Sequence, residues 1–252
     1  MPGHAATGGE VVAWGCGGGH DYGQCNVPVG LSGVVAIAAG EFHSLALESD
    51  GTVAGWGCAA DSGQCNTPSG LSEVTSIAAG AYHSLALRTD GTVISWGCGG
   101  FNDYGQCSVP AGLTRATAIA AGGEHSLALT EDGTVVAWGC GFGADFGQCN
   151  VPSGLSGVTA IAAGGFLSVA LKSDGTVVAW GCGTSYLPWC GVPSGLAGVT
   201  GVAAGGYHGL ALKADGTVTA WAATPIRLDS ARFRAAFRAS ARSPQACRIV
   251  SR

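Results

Sequence analysis

Two cysteines enclose a glycine-rich loop near the start of the chain, in the segment WGCGGGHDYGQCNVP that runs from residue 14 to residue 28. Between Cys16 and Cys25 the loop carries His20, Asp21 and Tyr22. Thiols beside an imidazole and a carboxylate suit three kinds of chemistry, which are metal binding, thiol redox exchange and a structural disulfide. The rest of the chain discriminates among them.

Ten of the eleven cysteines form such pairs, and each pair encloses one copy of the loop. The pairs are Cys16 with Cys25, Cys58 with Cys65, Cys98 with Cys107, Cys140 with Cys149, and Cys182 with Cys190. A closed zinc site needs four ligands, whereas each loop offers two thiols and no repeated histidine. A redox enzyme is expected to have one activated CxxC pair rather than several loose pairs. We therefore predict structural disulfides with no metal and no cofactor, while reduced cysteines and metal or redox pairs stay open as alternatives.

The compartment follows from the state of these pairs. Disulfides persist where the surroundings are oxidising, so they predict an extracellular or periplasmic protein. The first residues, MPGHAATGGE, argue against export, because they lack the basic start and apolar stretch of a signal peptide. No membrane span is expected, since no apolar run approaches the roughly 20 residues that cross a bilayer.

The formal net charge of −5 divides into two unlike parts. Residues 1–226 contain 15 acids against Arg88, Arg115, Lys172 and Lys213, a net charge of −11. Residues 227–252 contain seven arginines and one acid, a net charge of +6. We predict that the tail, 223–252, is disordered or a short basic helix that folds back onto acidic surface or contacts nucleic acid or membrane. Nucleic acid is not expected as a partner of the rest of the chain.

The cysteine loops belong to a longer repeat that the tryptophans mark. Trp14, Trp56, Trp96, Trp138, Trp180 and Trp221 are spaced 42, 40, 42, 42 and 41 residues apart. A period near this length is typical of one supersecondary unit in a stacked or circular array. We therefore expect these units to fold together, not singly.

Residues 158–193 show what one repeat contains. VTAIAAG is a short apolar run that predicts strand A, and LSVALK predicts strand B. Asp174 and Gly175 form a turn signal, so TVVAWG predicts strand C in a hairpin with strand B. Strand D is expected to end at Pro193, because proline suits an edge strand. Four antiparallel strands in about 42 residues predict a propeller blade, with a β-solenoid as the rival.

The sequence thus predicts an all-β propeller of about five blades over residues 1–222. The repeat units lie near 34–68, 74–110, 116–152, 158–193 and 199–222, after an N-terminal half-blade at 11–28. The last unit stops after strand C. Two alternatives stay open, namely a ring that closes by pairing the opening C and D strands with the last A and B strands, and a chain that is part of a larger ring.

The segments IAAGEFHSLAL from Ile37, IAAGAYHSLAL from Ile77, IAAGGEHSLAL from Ile119 and VAAGGYHGLAL from Val202 each precede DGTV and a tryptophan. They resemble the regulator of chromosome condensation (RCC1) repeat family over residues 11–222. The short repeat is most similar to bacterial members, which include β-lactamase inhibitory propellers. The resemblance implies a β-propeller, commonly of seven blades, and protein binding through aromatic and acidic loop residues. For the family's namesake it implies nucleotide exchange and chromatin binding.

Alternating strands place the A–B and C–D loops on one face of the propeller. All five tyrosines, and all phenylalanines outside the tail, fall in these loops. The acids of the same loops are Asp21, Glu41, Asp61, Asp103, Glu124 and Asp145, without a lysine or arginine. We predict partner contacts by Glu41, Phe42, Tyr82, Phe101, Asp103, Phe142, Asp145, Phe166, Tyr186, Trp189 and Tyr207. Tyr22, Tyr104 and Phe146 are instead predicted to cover the disulfide or the adjacent blade.

These features favour a protein-binding propeller, inhibitory in one form, whose acidic and aromatic face takes a basic protein patch. A carbohydrate-binding propeller is the alternative, and nucleotide exchange or chromatin binding by family analogy is the second. An enzyme is not expected, because the sequence has no phosphate loop and no nucleophile with a spaced base. The repeated His43, His83, His125 and His208, replaced by Leu167 in the fourth repeat, predict hydrogen bonds to neighbouring loops rather than catalysis.

Overall fold

The computed structural model describes residues 10–16, 21–58, 62–99, 102–141, 145–181, 183 and 190–222. The predicted tail at 223–252 lies outside the described residues, as do Cys182, Phe101, Phe142, Tyr186 and Trp189. The described residues contain no α-helix, and therefore none long and apolar enough to cross a bilayer. They form five separate three-stranded antiparallel sheets, which are the five predicted blades.

Each blade contains strands A, B and C in chain order. The A strands are β1 (Val34–Ala39), β4 (Val74–Ala79), β7 (Ala116–Ala121), β10 (Val158–Ala163) and β13 (Val199–Ala204). The B strands are β2 (Ser44–Glu48), β5 (Ser84–Arg88), β8 (Ser126–Thr130), β11 (Ser168–Lys172) and β14 (His208–Lys213). The C strands are β3 (Val53–Trp56), β6 (Val93–Trp96), β9 (Val135–Trp138), β12 (Val177–Trp180) and β15 (Val218–Ala222). We number the blades 1 to 5 in this order.

The turns between strands B and C form as the Asp-Gly-Thr pattern predicts. In blade 1 the Thr52 amide donates to Asp50 Oδ1 over 2.9 Å, and Gly51 has a φ of 85°. Glycine adopts this left-handed conformation without steric strain, and an aspartate side chain stabilises the turn. The same turn fixes the register of strand B against strand C, where Ser44 faces Trp56 and Leu47 faces Val53.

The predicted strand D is not a strand in the described residues. The segment that follows each cysteine loop forms local turns, such as the Asn66 amide donating to Gly63 O and the Thr67 amide donating to Cys65 O. It still lies along strand C, because Thr67 Oγ1 donates to Val53 O over 3.2 Å. Because these amides bond locally, they do not form a ladder with strand C, and blades 1 to 4 each consist of three strands with a turn-rich segment beside them.

The hydrophobic core lies between blades. Leu45, Leu47 and Val53 of blade 1 pack against Val74 and Trp96 of blade 2, and the same arrangement repeats along the array. The tryptophans that end strand C in blades 2 to 5, which are Trp96, Trp138, Trp180 and Trp221, therefore pack on the preceding blade. Burying one leucine stabilises a fold by about 1.5 to 3 kcal/mol, so these junctions hold the blades in order.

Apolar side chains at the two ends of the array are largely exposed. In blade 1, Val35 and Ile37 are 63% and 65% exposed. In blade 5, Leu212 and Val218 are 45% and 58% exposed. The predicted closure between the opening segment and the last blade does not form in the described residues, because β14 already pairs with β15 and residues 11–14 are not a strand.

Candidate binding face

The A–B loops of neighbouring blades are hydrogen-bonded to one another. The donors and acceptors are Glu41 N to Gly80 O (3.2 Å), Ala81 N to Gly122 O (3.3 Å), Gly123 N to Gly164 O (3.0 Å) and Gly165 N to Gly206 O (3.2 Å). We call this run of bonds the loop belt. It fixes the order and spacing of the side chains that the loops present.

The belt requires glycine at the first position of each loop. A Cβ on Gly122 would lie 2.5 Å from Gly164 O and would overlap the ring of His125. The repeated AAG of strand A therefore ends in a residue that lets two backbones and an imidazole approach closely.

The repeated histidines lie beneath the belt and join the blades. His43 Nε2 lies 2.9 Å from Ser84 Oγ of the next blade, and His83 and His125 repeat the contact with the next serines over 3.0 Å. Burial lowers the pKa of His43 and His125 to about 4 and that of His83 to about 3. These rings are neutral near pH 7 and inaccessible, which suits a structural role.

The glutamine of each Gly-Gln-Cys segment links one blade to the next. The Gln64 side chain accepts a hydrogen bond from the Ser62 amide over 2.7 Å, which closes its own loop. Its backbone carbonyl accepts from Ser84 Oγ and from Trp96 Nε1 of the next blade, both over 2.9 Å. Gln106 and Gln148 repeat these contacts. The sequence pattern gave no sign of this role, since the two donor partners lie on another repeat.

The cysteine pairs lie at the base of the C–D loops. Four disulfides form as predicted, with Cα atoms 5.9 to 6.0 Å apart, and they join Cys16 to Cys25, Cys58 to Cys65, Cys98 to Cys107, and Cys140 to Cys149. Cys190 is also disulfide-bonded. No cluster of three or more metal-ligating side chains occurs in the described part of the chain.

One side chain from each loop of the belt forms a row. The residues at this position in blades 1 to 5 are Phe42, Tyr82, Glu124, Phe166 and Tyr207, all partly buried. Ring centroids of Phe42 and Tyr82 lie 5.0 Å apart, and those of Phe166 and Tyr207 lie 6.3 Å apart. Glu124 therefore interrupts an otherwise aromatic row at its middle position.

The C–D loops extend the row on the same face. Tyr22 contacts Phe42 edge-on with ring centroids 5.0 Å apart, and Phe146 contacts Phe166 at 4.6 Å. Each contact joins a C–D loop to the A–B loop of the next blade, which is the arrangement that alternating strands dictate. Asp103 and Asp145 are exposed, and each accepts a hydrogen bond from the amide of a glycine two residues later in its own loop.

The described cations all lie at the opposite ends of the strands, and each pairs with an acid there. The pairs are Arg88 with Glu73 and Asp90, Arg115 with Glu131, Lys172 with Asp174, and Lys213 with Asp215. Such exposed pairs contribute little stability. Because these cations all lie away from the aromatic row, the charged side chains described around the row are all acidic.

Glu124 has the most perturbed carboxyl group of this face. Burial, and to a lesser extent the negative charge of Glu41, raise its pKa to about 7. Burial also raises the pKa of Tyr82, and Glu41 and Glu124 add to that effect. Both carboxylates therefore act on the Tyr82 hydroxyl, which the belt places between them.

Of the predicted contact residues, the structure brings together Glu41, Phe42, Tyr82, Phe166 and Tyr207 along the belt, with Asp103 and Asp145 in the adjoining C–D loops. Phe101, Phe142, Tyr186 and Trp189 lie outside the described residues. The contact prediction omitted Glu124, although it counted this residue among the acids of the face. Alignment of the AAG-x-x-His segments could have found it, since Glu124 occupies the position of Phe42 and Tyr82.

Comparison with known proteins matches the repeats of this chain to one repeat family. The model of the regulator of chromosome condensation (RCC1) repeat matches residues 34–64, 74–106, 116–148, 158–186 and 199–221. No curated protein matches the chain by sequence.

Several solved structures share the fold. Prp20p from Saccharomyces cerevisiae is 25% identical with a TM-score of 0.60, over 78% of this chain and 57% of Prp20p. Human WBSCR16 is 25% identical with a TM-score of 0.61, over 75% of this chain and 62% of WBSCR16. The ectodomain of the receptor kinase CR4 from Physcomitrella patens is 24% identical with a TM-score of 0.61, over 79% of this chain and 53% of the ectodomain. The chain thus spans less than two thirds of each of these proteins.

Proposed function

This chain belongs to the regulator of chromosome condensation (RCC1) repeat family, and we propose that it is a non-enzymatic protein-binding propeller whose acidic, aromatic loop face takes a basic patch of its partner. The observation that carries the proposal is the separation of charge. All four described cations are paired at one end of the strands, while the face at the other end combines Glu41, Glu124, Asp103 and Asp145 with a row of rings. A surface of one sign selects an oppositely charged partner and speeds the encounter.

The aromatic content of the face supports a protein partner. Tyrosine and phenylalanine supply large contact areas at a low entropic cost and are frequent anchors of protein interfaces. Prp20p, which is similar to this chain in fold, is a protein with binding properties towards Gsp1p and histones. We propose the general class for this chain, namely a protein with a basic surface, and inhibition of an enzyme partner would be one form of such binding.

The ring contacts favour protein over carbohydrate. A sugar-binding aromatic side chain needs a free face on which the sugar ring can stack. Phe42 contacts both Tyr22 and Tyr82, and Phe166 contacts both Phe146 and Tyr207. Blade 3 has Glu124 in place of a ring, so the blades do not each present an equivalent surface for a sugar ring. The proposal assigns no catalytic role to the histidines, because His43, His83 and His125 are buried in the blade junctions.

The experiment is a binding series with purified basic proteins, for which core histones and cytochrome c serve as probes and ovalbumin as an acidic control. We expect binding to the basic proteins at about 50 mM NaCl that weakens steeply towards about 300 mM, since exposed charges are screened by salt. The variant Glu41→Lys should weaken binding about three- to tenfold. Glu131→Lys, on the opposite face, is the matched control and should bind as the original chain does. Equal losses in the two variants, or no binding to either basic probe, would overturn the proposal.

A further inference from the structure

We propose that the break in the aromatic row is a seat for one arginine side chain of the partner, with its guanidinium group against the Glu124 carboxylate and between the rings of Tyr82 and Phe166. This inference rests on the proposed function and names the group that the face recognises. It concerns the centre of the row, where the sequence replaces a ring with a carboxylate.

The loop belt fixes the three residues as neighbours. The Ala81 amide donates to Gly122 O, and the Gly123 amide donates to both Gly164 O and Gly165 O over 3.0 and 3.1 Å. The residues that follow these positions, Tyr82, Glu124 and Phe166, therefore project from adjacent hydrogen-bonded loops. Their relative placement depends on backbone bonds rather than on flexible side chains.

The rings of Tyr82 and Phe166, which would flank the guanidinium group, are each packed against other aromatic rings. Tyr82 contacts Phe42, which in turn contacts Tyr22, and all three rings lie on one side of Glu124. On the other side, Phe166 contacts Phe146 and Tyr207. Among the described residues the ring contacts do not continue across Glu124. Rings fixed by their neighbours lose little freedom when a ligand arrives, which favours binding.

The carboxylate of Glu124 is not paired with any described cation. Glu124 forms no ion pair with the described cations, which all bond acids at the opposite ends of the strands. Glu41 adds a second negative charge nearby, and together with burial it disfavours the ionised form of Glu124. A partly buried carboxylate under these conditions gains when a cation replaces the lost solvent.

Arginine fits this arrangement better than lysine. Its guanidinium group is planar, so its edge can donate to a carboxylate while its faces stack on aromatic rings. It is also more weakly hydrated than an ammonium group, which lowers the cost of entry between two rings. Cation–π attraction adds to the ion pair when the cation lies over a ring.

The site can be tested with a small probe, by following backbone amide resonances of the whole chain during titration with N-acetyl-arginine amide. N-acetyl-lysine amide and N-acetyl-citrulline amide are the matched compounds. We expect saturable shifts centred on residues 81–83, 123–125 and 165–167, stronger with arginine than with lysine and absent with uncharged citrulline. Glu124→Gln should weaken arginine binding about five- to tenfold, since it removes a charge-assisted bond. Glu131→Gln removes the same charge from the same blade on the opposite face and should change nothing.

The pH dependence gives a second readout. Between pH 6 and 8 arginine binding should strengthen as Glu124 loses its proton, because the pKa of this carboxyl is raised to about 7. The other titratable groups around it are Glu41, Tyr82, Tyr104 and His125; both tyrosine pKa values are raised above their usual value near 10, and that of His125 is lowered to about 4. Glu124→Gln should therefore remove the pH dependence over this range.

The outcomes separate this inference from the proposed function. Suppose that basic proteins bind in the salt series, but that Glu124→Gln binds arginine amide and basic proteins as the original chain does. The arginine site at Glu124 is then wrong, while the proposed protein-binding face is supported. If arginine amide binds at Glu124 while no basic protein binds, the arginine site is supported and the proposed function is wrong. Equal binding of lysine and arginine, or shifts with citrulline, would overturn the assignment to arginine.

Discussion

His43 Nε2 lies 2.9 Å from Ser84 Oγ, and this contact joins blade 1 to blade 2. The same pair recurs at the next two junctions. At the fourth junction Leu167 replaces the histidine, and the residue in the serine position of blade 5 is Gly209. At these four junctions histidine and serine are thus either both present or both absent.

The energetic coupling of such a pair can be measured at His125 and Ser168, whose Nε2 and Oγ atoms lie 3.0 Å apart. We expect the double variant His125→Leu with Ser168→Ala to be less destabilised than the sum of the single variants, by about 1 kcal/mol, the usual contribution of one hydrogen bond. Urea unfolding of the four proteins gives the coupling. Strict additivity would show that the bond does not stabilise the junction.

Stability should fall as the pH is lowered from 6.5 towards 4. The unfolded chain binds protons on His43, His83 and His125 near pH 6.5, whereas in the folded state the pKa values are lowered to between about 3 and about 4. Each histidine then lowers the free energy of unfolding by about 1.4 kcal/mol per pH unit over this window. Glu124 acts in the opposite direction, because its folded pKa is raised to about 7 and the folded state takes up its proton first.

Urea midpoints at pH 7.5 and pH 5 measure this effect. His83→Gln carries no titrating ring and should reduce the difference between the two midpoints by the share of one histidine. Midpoints that do not change with pH in the original chain would contradict the burial of neutral histidines in the junctions.

Each disulfide should make its own contribution to the free energy of unfolding. The pair Cys98 and Cys107 closes a loop with a sequence separation of 9 residues, and the loop-entropy relation gives about 2.5 kcal/mol for a bridge of this size. Replacing both cysteines by serine should lower the free energy of unfolding by about this amount. Cys247→Ser is the control, since Cys247 belongs to no predicted pair.

A thiol count in denaturant without reductant tests the pairing itself. One reactive thiol per chain is expected, because four bridges are described and Cys190 is bonded as well. A count of eleven would overturn the disulfides and the inference of an oxidising compartment together.

The loop belt depends on the absence of a side chain at its glycines. Gly122→Ala would place a methyl group 2.5 Å from Gly164 O, so we expect a loss of about 2 kcal/mol or more. Gly112→Ala is the matched control, because its Cβ would meet nothing within 4 Å. Thermal unfolding of the two variants compares them directly. Similar melting temperatures would mean that the loops can separate at little cost.

The sequence alone determined the local features of this protein. The tryptophan period, the Asp-Gly turns and the paired cysteines predicted five similar blades, and the alternation of strands predicted which loops share a face. These features are visible because the interactions behind them lie within one repeat, between residues a few positions apart. The family resemblance was visible for the same reason, since it rests on contiguous segments such as IAAGEFHSLAL.

The contacts between repeats were decided by the tertiary structure. The Gln64 carbonyl meets Ser84 and Trp96 only because blade 2 packs against blade 1, and the segment predicted as strand D bonds within itself rather than forming a ladder with strand C. The sequence shows Glu124 only as a carboxylate at an aromatic position of the repeat, and its unusual environment arises in the folded protein. Burial and the field of Glu41 depend on how neighbouring loops are brought together, and that is a property of the assembled propeller rather than of any one repeat.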